Sequence, residues 1–218
     1  METHTPYSTQ LNSLEFRAVV NELVQNVDEI VETGSFHGNG STKVFADTGK
    51  YVFSIECNYE NFVTASSNLR QHENVCVLHA LSLPKERLIK FLLKETFTLD
   101  TAYDSKYPKS FYMREINQFV SIDNALELFC DNHRKQLIFL DSAGGVGYAE
   151  YLWVMSLPDH VKENKILLLD DIKHIKHCRS VADLMIQGYD VQCSQDERFA
   201  WVNLGTKPSI NKIAYNTD

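Results

Sequence analysis

The sequence predicts a Rossmann-like, doubly wound α/β domain with a mostly parallel sheet, and three observations predict it. Short apolar runs, "DEIVET", "KYVFSIE", "NVCVLHA", "QLIFLD" and "KILLLD", alternate with stretches whose apolar residues recur at helical spacing. The runs are almost continuously apolar, as strands covered on both faces must be. The chain then closes on "YDVQCS" and "FAWVNLG", four residues apart, which is the spacing of an antiparallel hairpin.

Taken in order, "NSLEFRAVVNELVQNV" predicts a first helix within an N-terminal segment, residues 1–27. Asn12 and Glu15 stand at capping-box spacing, and Phe16, Val20, Leu23, Val24 and Val27 share one face. The strand "DEIVET" leads into a glycine loop, and "STKVFADTG" reads as a helix closed by Gly49. Then follow the strand "KYVFSIE", the helix "YENFVTASSNLRQH" and the strand "NVCVLHA". Pro84 suits the first turn of the helix "PKERLIKFLLKE". Residues 96–113 have no clean period and read as an insertion, a candidate substrate lid whose Tyr103, Tyr107, Phe111 and Tyr112 suit a phenolic or sugar-like acceptor. "REINQFVSIDNALELFCDNHR" reads as one helix, followed by strand "QLIFLD", helix "YAEYLWVMSL", strand "KILLLD" and a helix near 174–187.

At 218 residues, 44% hydrophobic and 23% charged, residues 1–218 make one globular domain. A net charge of −8 works against nucleic acid and anionic membranes as partners, because both need a basic face. A small-molecule partner is expected, and a homo-oligomer is compatible with the sequence. No run of about 18 apolar residues and no export signal is visible, so neither a membrane span nor secretion is expected. The five cysteines, Cys57, Cys76, Cys130, Cys178 and Cys193, form no CxxC pair and read as small buried hydrophobes in a reducing cytoplasm.

In a sheet of this kind, ligands bind beyond the carboxyl ends of the strands. Those ends carry Glu32, Glu56, Asp141 and the pair Asp170–Asp171, so acids close four of the five strands. Unpaired buried carboxylates are costly, and a merely structural sheet does not need them. The loop "VETGSFHGNGST" after the first strand decides between ligands. A phosphate loop places lysine directly after its last glycine, whereas here Gly40-Ser41-Thr42 delays Lys43. Glycines at 34, 38 and 40 do not make G-x-G-x-x-G, and Glu32 before them would repel a pyrophosphate and attract an ammonium group. Glu56, 24 residues later, stands where a carboxylate accepts both ribose hydroxyls. S-adenosylmethionine, with a cationic amino-acid end and an adenosine end, satisfies both acids.

"VETGSFHGNGST", "SIECNYENF" and "HALSLPKERL" together resemble motifs of the class I S-adenosylmethionine-dependent methyltransferases, in particular their small O-methyltransferase branch, over residues 14–205. The resemblance implies a seven-stranded sheet ending in an antiparallel hairpin. It places Glu32, Gly34, Ser35, Phe36, Gly38 and Ser41 around the methionine end of the cofactor, Glu56 at the ribose, Ala80 and Ser82 by the adenine, and Asp141 beside the cofactor. From the metal-dependent members it implies that Asp141, Asp170 and Asp171 bind magnesium, whose hard oxygen ligands suit that ion. The lysine base found shortly after the strand-end acid in catechol-type relatives is missing from "DSAGGVGYAEY". Asp141 and His174 are then the candidate catalytic residues, with Lys173 and His177 as further candidate bases. The missing lysine also leaves open a non-catalytic, cofactor-binding scaffold; the glycine spacing disfavours an NAD enzyme. His37 faces either substrate or solvent.

Overall fold

A computed structural model describes residues 12–94 and 109–206. Tyr103 and Tyr107, with most of the expected 96–113 insertion, lie outside the described residues.

Helix α1 (Leu14–Leu23) starts at Ser13, whose Oγ accepts from Phe16 N at 3.1 Å. The capping residue is therefore Ser13 and not Asn12, whose side chain instead accepts from Arg17 Nε. Strand β1 (Glu29–Thr33), helix α2 (Ser41–Ala46), β2 (Tyr51–Glu56), α3 (Tyr59–Asn68), β3 (Val75–Leu81) and α4 (Lys85–Lys94) follow as the alternation predicts. Gly49, at φ 73°, closes α2 through its N–H to Ala46 O.

The single helix expected across 114–134 is broken. Helix α5 (Lys109–Ile116) ends early, β4 (Ile122–Asp123) pairs with β3, and α6 (Ala125–Cys130) begins after Asn124 turns at φ 88°. The β-branched "VSI" stretch satisfies backbone groups on the edge of β3, with Ser121 N donating to His79 O, and this outweighs the helical period. Beyond it lie β5 (Gln136–Leu140), α7 (Gly145–Met155), α8 (Asp159–Lys162), β6 (Lys165–Asp170), α9 (Cys178–Ile186), β7 (Gln192–Cys193) and β8 (Phe199–Asn203).

Among the described residues the sheet has eight strands, in the order β4-β3-β2-β1-β5-β6-β8-β7, rather than the expected seven. The extra strand is β4. All pairs are parallel except those of β8 with β6 and β7, which form the predicted hairpin end. The order reverses between β1 and β5, and this switch point opens the crevice where a ligand can enter.

Two apolar layers hold the sheet. On one face Phe16 of α1 meets the rings of Phe45, Phe139 and Phe199, with centroids 6.0, 5.8 and 5.2 Å away. On the other, α7 carries Tyr151 and Val154 into the core and packs between α4 and α9. Cys130 is buried, but Cys76, Cys178 and Cys193 are exposed, contrary to the expectation of buried thiols. Among the described residues no helix is long and apolar enough to cross a membrane.

Phe16 ties α1 to three other elements with no exposure to solvent. Phe16→Ala is expected to cost about 3–5 kcal/mol, and thermal melting should show it as a fall of roughly 6 °C or more.

Candidate functional site

The crevice is built from the glycine loop after β1. Gly34, at φ 84°, donates its N–H to Ile55 O at 2.8 Å. A Cβ there would lie 2.8 Å from the carbonyl oxygen of Asp141, so only glycine lets the ends of β1 and β5 approach this closely. Gly38, at φ 75°, leaves room for the side chain of Leu69, the residue that caps α3. Phe36 is held at φ 50°, an unfavourable setting for an aromatic residue, with its ring stacked on His37 at 3.9 Å. Both rings are exposed, and His37 O accepts from Asn68 Nδ2.

Beneath this loop Glu32 is fully buried. One carboxylate oxygen accepts from Ser41 Oγ and the other from Ser54 Oγ, and Ser54 in turn meets Ser35 Oγ at 2.6 Å. Burial pushes the Glu32 carboxyl up, and the hydroxyl donors oppose that shift. Glu32 thus binds β1, β2 and α2 together under the loop. The polar groups of Glu32, Ser35 and Ser41, expected around the methionine end of a cofactor, are linked to one another through Ser54 beneath the loop.

Glu56, at the end of β2, is placed differently. Its two oxygens accept from Phe36 N and Asn58 N, both at 2.8 Å, so it is fastened to the glycine loop itself. Burial pushes its carboxyl up to about 7, against those two amide donors and with help from the Glu115 charge. Ala80 is fully buried in the core, and Ser82 O accepts from Leu126 N. At the end of β3 the aromatic surface belongs to His79, whose ring lies 5.3 Å from Phe62 and 5.4 Å from Tyr59.

The expected aspartates do converge, but on a side chain the sequence reading overlooked. Lys176 Nζ donates to Asp141 Oδ1, to Asp170 Oδ2 at 3.2 Å and to Asp171 Oδ2 at 3.5 Å. Arg198 grips Asp170 from the other side through Nε at 2.9 Å and Nη2 at 3.1 Å, and pairs with Asp171 at 3.0 Å. Although burial opposes its charge, the three aspartates hold Lys176 protonated well above the usual lysine range. Asp170 is likewise buried, yet Lys176 and Arg198 hold its carboxyl far below normal. Asp141 moves the opposite way, raised by burial and by the neighbouring Asp170. The clue available in the sequence was electrostatic: three acids at adjoining strand ends require cations, and "DDIKHIKHC" contains two lysines.

The segment that delivers Lys176 is a turn, since α9 starts only at Cys178. His174 and His177 therefore do not share a helical face. His177 is fully buried, with Nε2 bonded to Leu140 O and Nδ1 to Ser180 Oγ, both at 3.1 Å, and burial depresses its pKa to about 3. It is a neutral anchor and not a base. His174 sits half-buried in the turn, its N–H donating to Asp171 O. Lys173 is directed outwards to Asp196 O and Glu197.

Another buried acid completes the floor. Glu150 of α7 accepts from Thr33 Oγ1 at 2.9 Å and Ser142 Oγ at 2.6 Å, joining the ends of β1 and β5. Tyr112 lies over Gly144 so closely that a Cβ there would stand 2.7 Å from its ring.

These donors do not fit magnesium. The ion needs near-octahedral oxygen ligands at about 2.0–2.1 Å, whereas the oxygens of Asp141, Asp170 and Asp171 already face an ammonium and a guanidinium. Two unit charges of like sign about 4 Å apart repel by about 4 kcal/mol at an effective dielectric of 20, and a divalent ion doubles this. Among the described residues no other group of three acids, histidines or cysteines could hold a metal.

The sheet order, the glycine loop after β1 and the hairpin end define a Rossmann-like methyltransferase fold. Cofactor-bound Rv0187 from MTB shares it with a TM-score of 0.53 at 13% identity, over 94% of this chain and 84% of that one. A putative caffeoyl-CoA O-methyltransferase from Staphylococcus aureus shares it with a TM-score of 0.50 at 15% identity, over 85% and 80% of the two chains. No protein-family model and no curated protein matches the sequence.

Gly34→Ala is expected to cost about 2 kcal/mol or more, combining an unfavourable φ with the collision at Asp141 O. Calorimetric melting should show a fall of roughly 4 °C or more.

Proposed function

We propose that the protein is an S-adenosylmethionine-dependent methyltransferase that methylates an oxygen of a small molecule. The observation that carries this reading is Glu56. It is a carboxylate at the end of β2, tied by Phe36 N to the glycine loop at the strand-order switch, where it can accept the hydroxyls of a ribose. The methionine end would then lie along the backbone of residues 34–40, with its sulfonium facing Asp141 across the β1–β5 crevice.

Asp170 and Asp171 are matched in charge by Lys176 and Arg198, −2 + 2 = 0, and Asp141, raised by burial and by Asp170, adds negative charge as it ionises, which a cationic methyl donor would favour. The reaction forms an O–CH₃ bond and breaks an S–CH₃ bond in one displacement. Alignment of nucleophile, methyl and sulfur supplies most of the acceleration. Asp141, at the edge of the cluster, would accept the hydrogen bond of the acceptor hydroxyl, orient its oxygen and take its proton as the O–CH₃ bond forms, with S-adenosylhomocysteine leaving as a neutral thioether. The overall charge of −8 supports a small acceptor over a nucleic acid.

Calorimetry with S-adenosylmethionine, S-adenosylhomocysteine and NAD tests the proposal. The two sulfur ligands should bind and NAD should not; absence of binding by either sulfur ligand would sink the reading. Below a pH of about 7 Glu56 is protonated and is a poorer acceptor. Cofactor affinity should therefore rise between pH 6 and pH 8, and in Glu56→Gln it should be at least about tenfold weaker and flat with pH.

A further inference from the structure

We infer that Lys176 is a built-in cation occupying the position that a divalent metal would need, so that acceptor binding at this site is metal-independent. The inference deepens the proposed methyltransferase reading and rests on it for the identity of the acceptor.

Four features show a position built for this one ammonium. The three N–H bonds of Nζ match three carboxylates contributed by two different strand ends, Asp141 after β5 and Asp170–Asp171 at and after β6. The Lys176 stem lies in a slot on α7 that only a glycine leaves open: a Cβ on Gly147 would stand 2.9 Å from Lys176 Cγ and 2.9 Å from Ser142 O. The turn carrying the lysine is pinned at both ends. It leaves β6 with Asp171 at φ 53°, and it closes with His177 bonded to Leu140 O. Nζ is almost completely shielded, with the Lys176 side chain 5% exposed.

The consequence concerns how an acceptor is held. A divalent ion would gather two neighbouring oxygens of the acceptor. An ammonium whose hydrogens are all donated to aspartates gathers none. What remains for the acceptor is the partly exposed edge of Asp141 and Asp171, whose side chains are 16% and 32% exposed. That edge recognises hydrogen-bond donors, so a single hydroxyl suffices and a pair of adjacent oxygens is not required.

The test is a Mn²⁺ titration of the full chain without cofactor, read by calorimetry and by the electron paramagnetic resonance signal of free Mn²⁺. The wild type is expected to show no saturable binding up to about 1 mM, and Asp141→Asn should be no different. Lys176→Met should gain a Mn²⁺ site at least about tenfold stronger than that limit, and the added Asp141→Asn change should abolish it. Stoichiometric Mn²⁺ binding by the wild type, lost in Asp141→Asn, would overturn the inference, and this arm decides even when Lys176→Met does not fold. A folded Lys176→Met that gains no Mn²⁺ affinity would overturn it equally. Because no cofactor is present, either result stands apart from success or failure of S-adenosylmethionine binding.

Discussion

Carboxylates buried at the carboxyl ends of a parallel sheet must find partners, and the rest of the site follows from how they do so. Glu32 and Glu150 are satisfied by hydroxyls, from Ser41 and Ser54 in one case and Thr33 and Ser142 in the other. Glu56 is satisfied by backbone amides. Asp141, Asp170 and Asp171 require full positive charges, which Lys176 and Arg198 provide. The hydroxyl-bound acids act as braces, since their oxygens are used inside the protein. The amide-bound acid lies at the glycine loop, and the rim of the cation-bound cluster is partly exposed.

This division also explains where glycine is indispensable. Gly34 brings the carboxyl ends of β1 and β5 together, and Gly147 opens the surface of α7 for the Lys176 stem. Each is a point of close approach, and each serves the crevice instead of the core. Below them, the Phe16, Phe45, Phe139 and Phe199 rings fix α1 and α2 against the sheet and give the strand ends a rigid base. Precise side-chain placement at a site depends on such a scaffold.

Lys176 and His177 are adjacent in sequence but have opposite roles. The histidine, which general chemistry favours as a base, is neutral and locked between Leu140 O and Ser180. The lysine beside it is the group that meets Asp141. Lys176, 35 residues beyond Asp141, meets that acid as a protonated ion partner and not as the base missing from "DSAGGVGYAEY".

The sequence by itself determined the alternation of strands and helices, the hairpin end, the glycine loop and the acids at the strand ends. These are local properties: apolar period, turn chemistry and the last residue of a run. It misread 114–134 as one helix because pairing of Ile122 with Ala80 is a long-range bond that no local period records. It did not show how the acids are held, since the partners of a carboxylate depend on what the fold brings against it. Only the tertiary structure brought Ser54 to Glu32, Phe36 N to Glu56 and Lys176 to three aspartates, because those partners come from different strands and turns and meet only when the sheet closes.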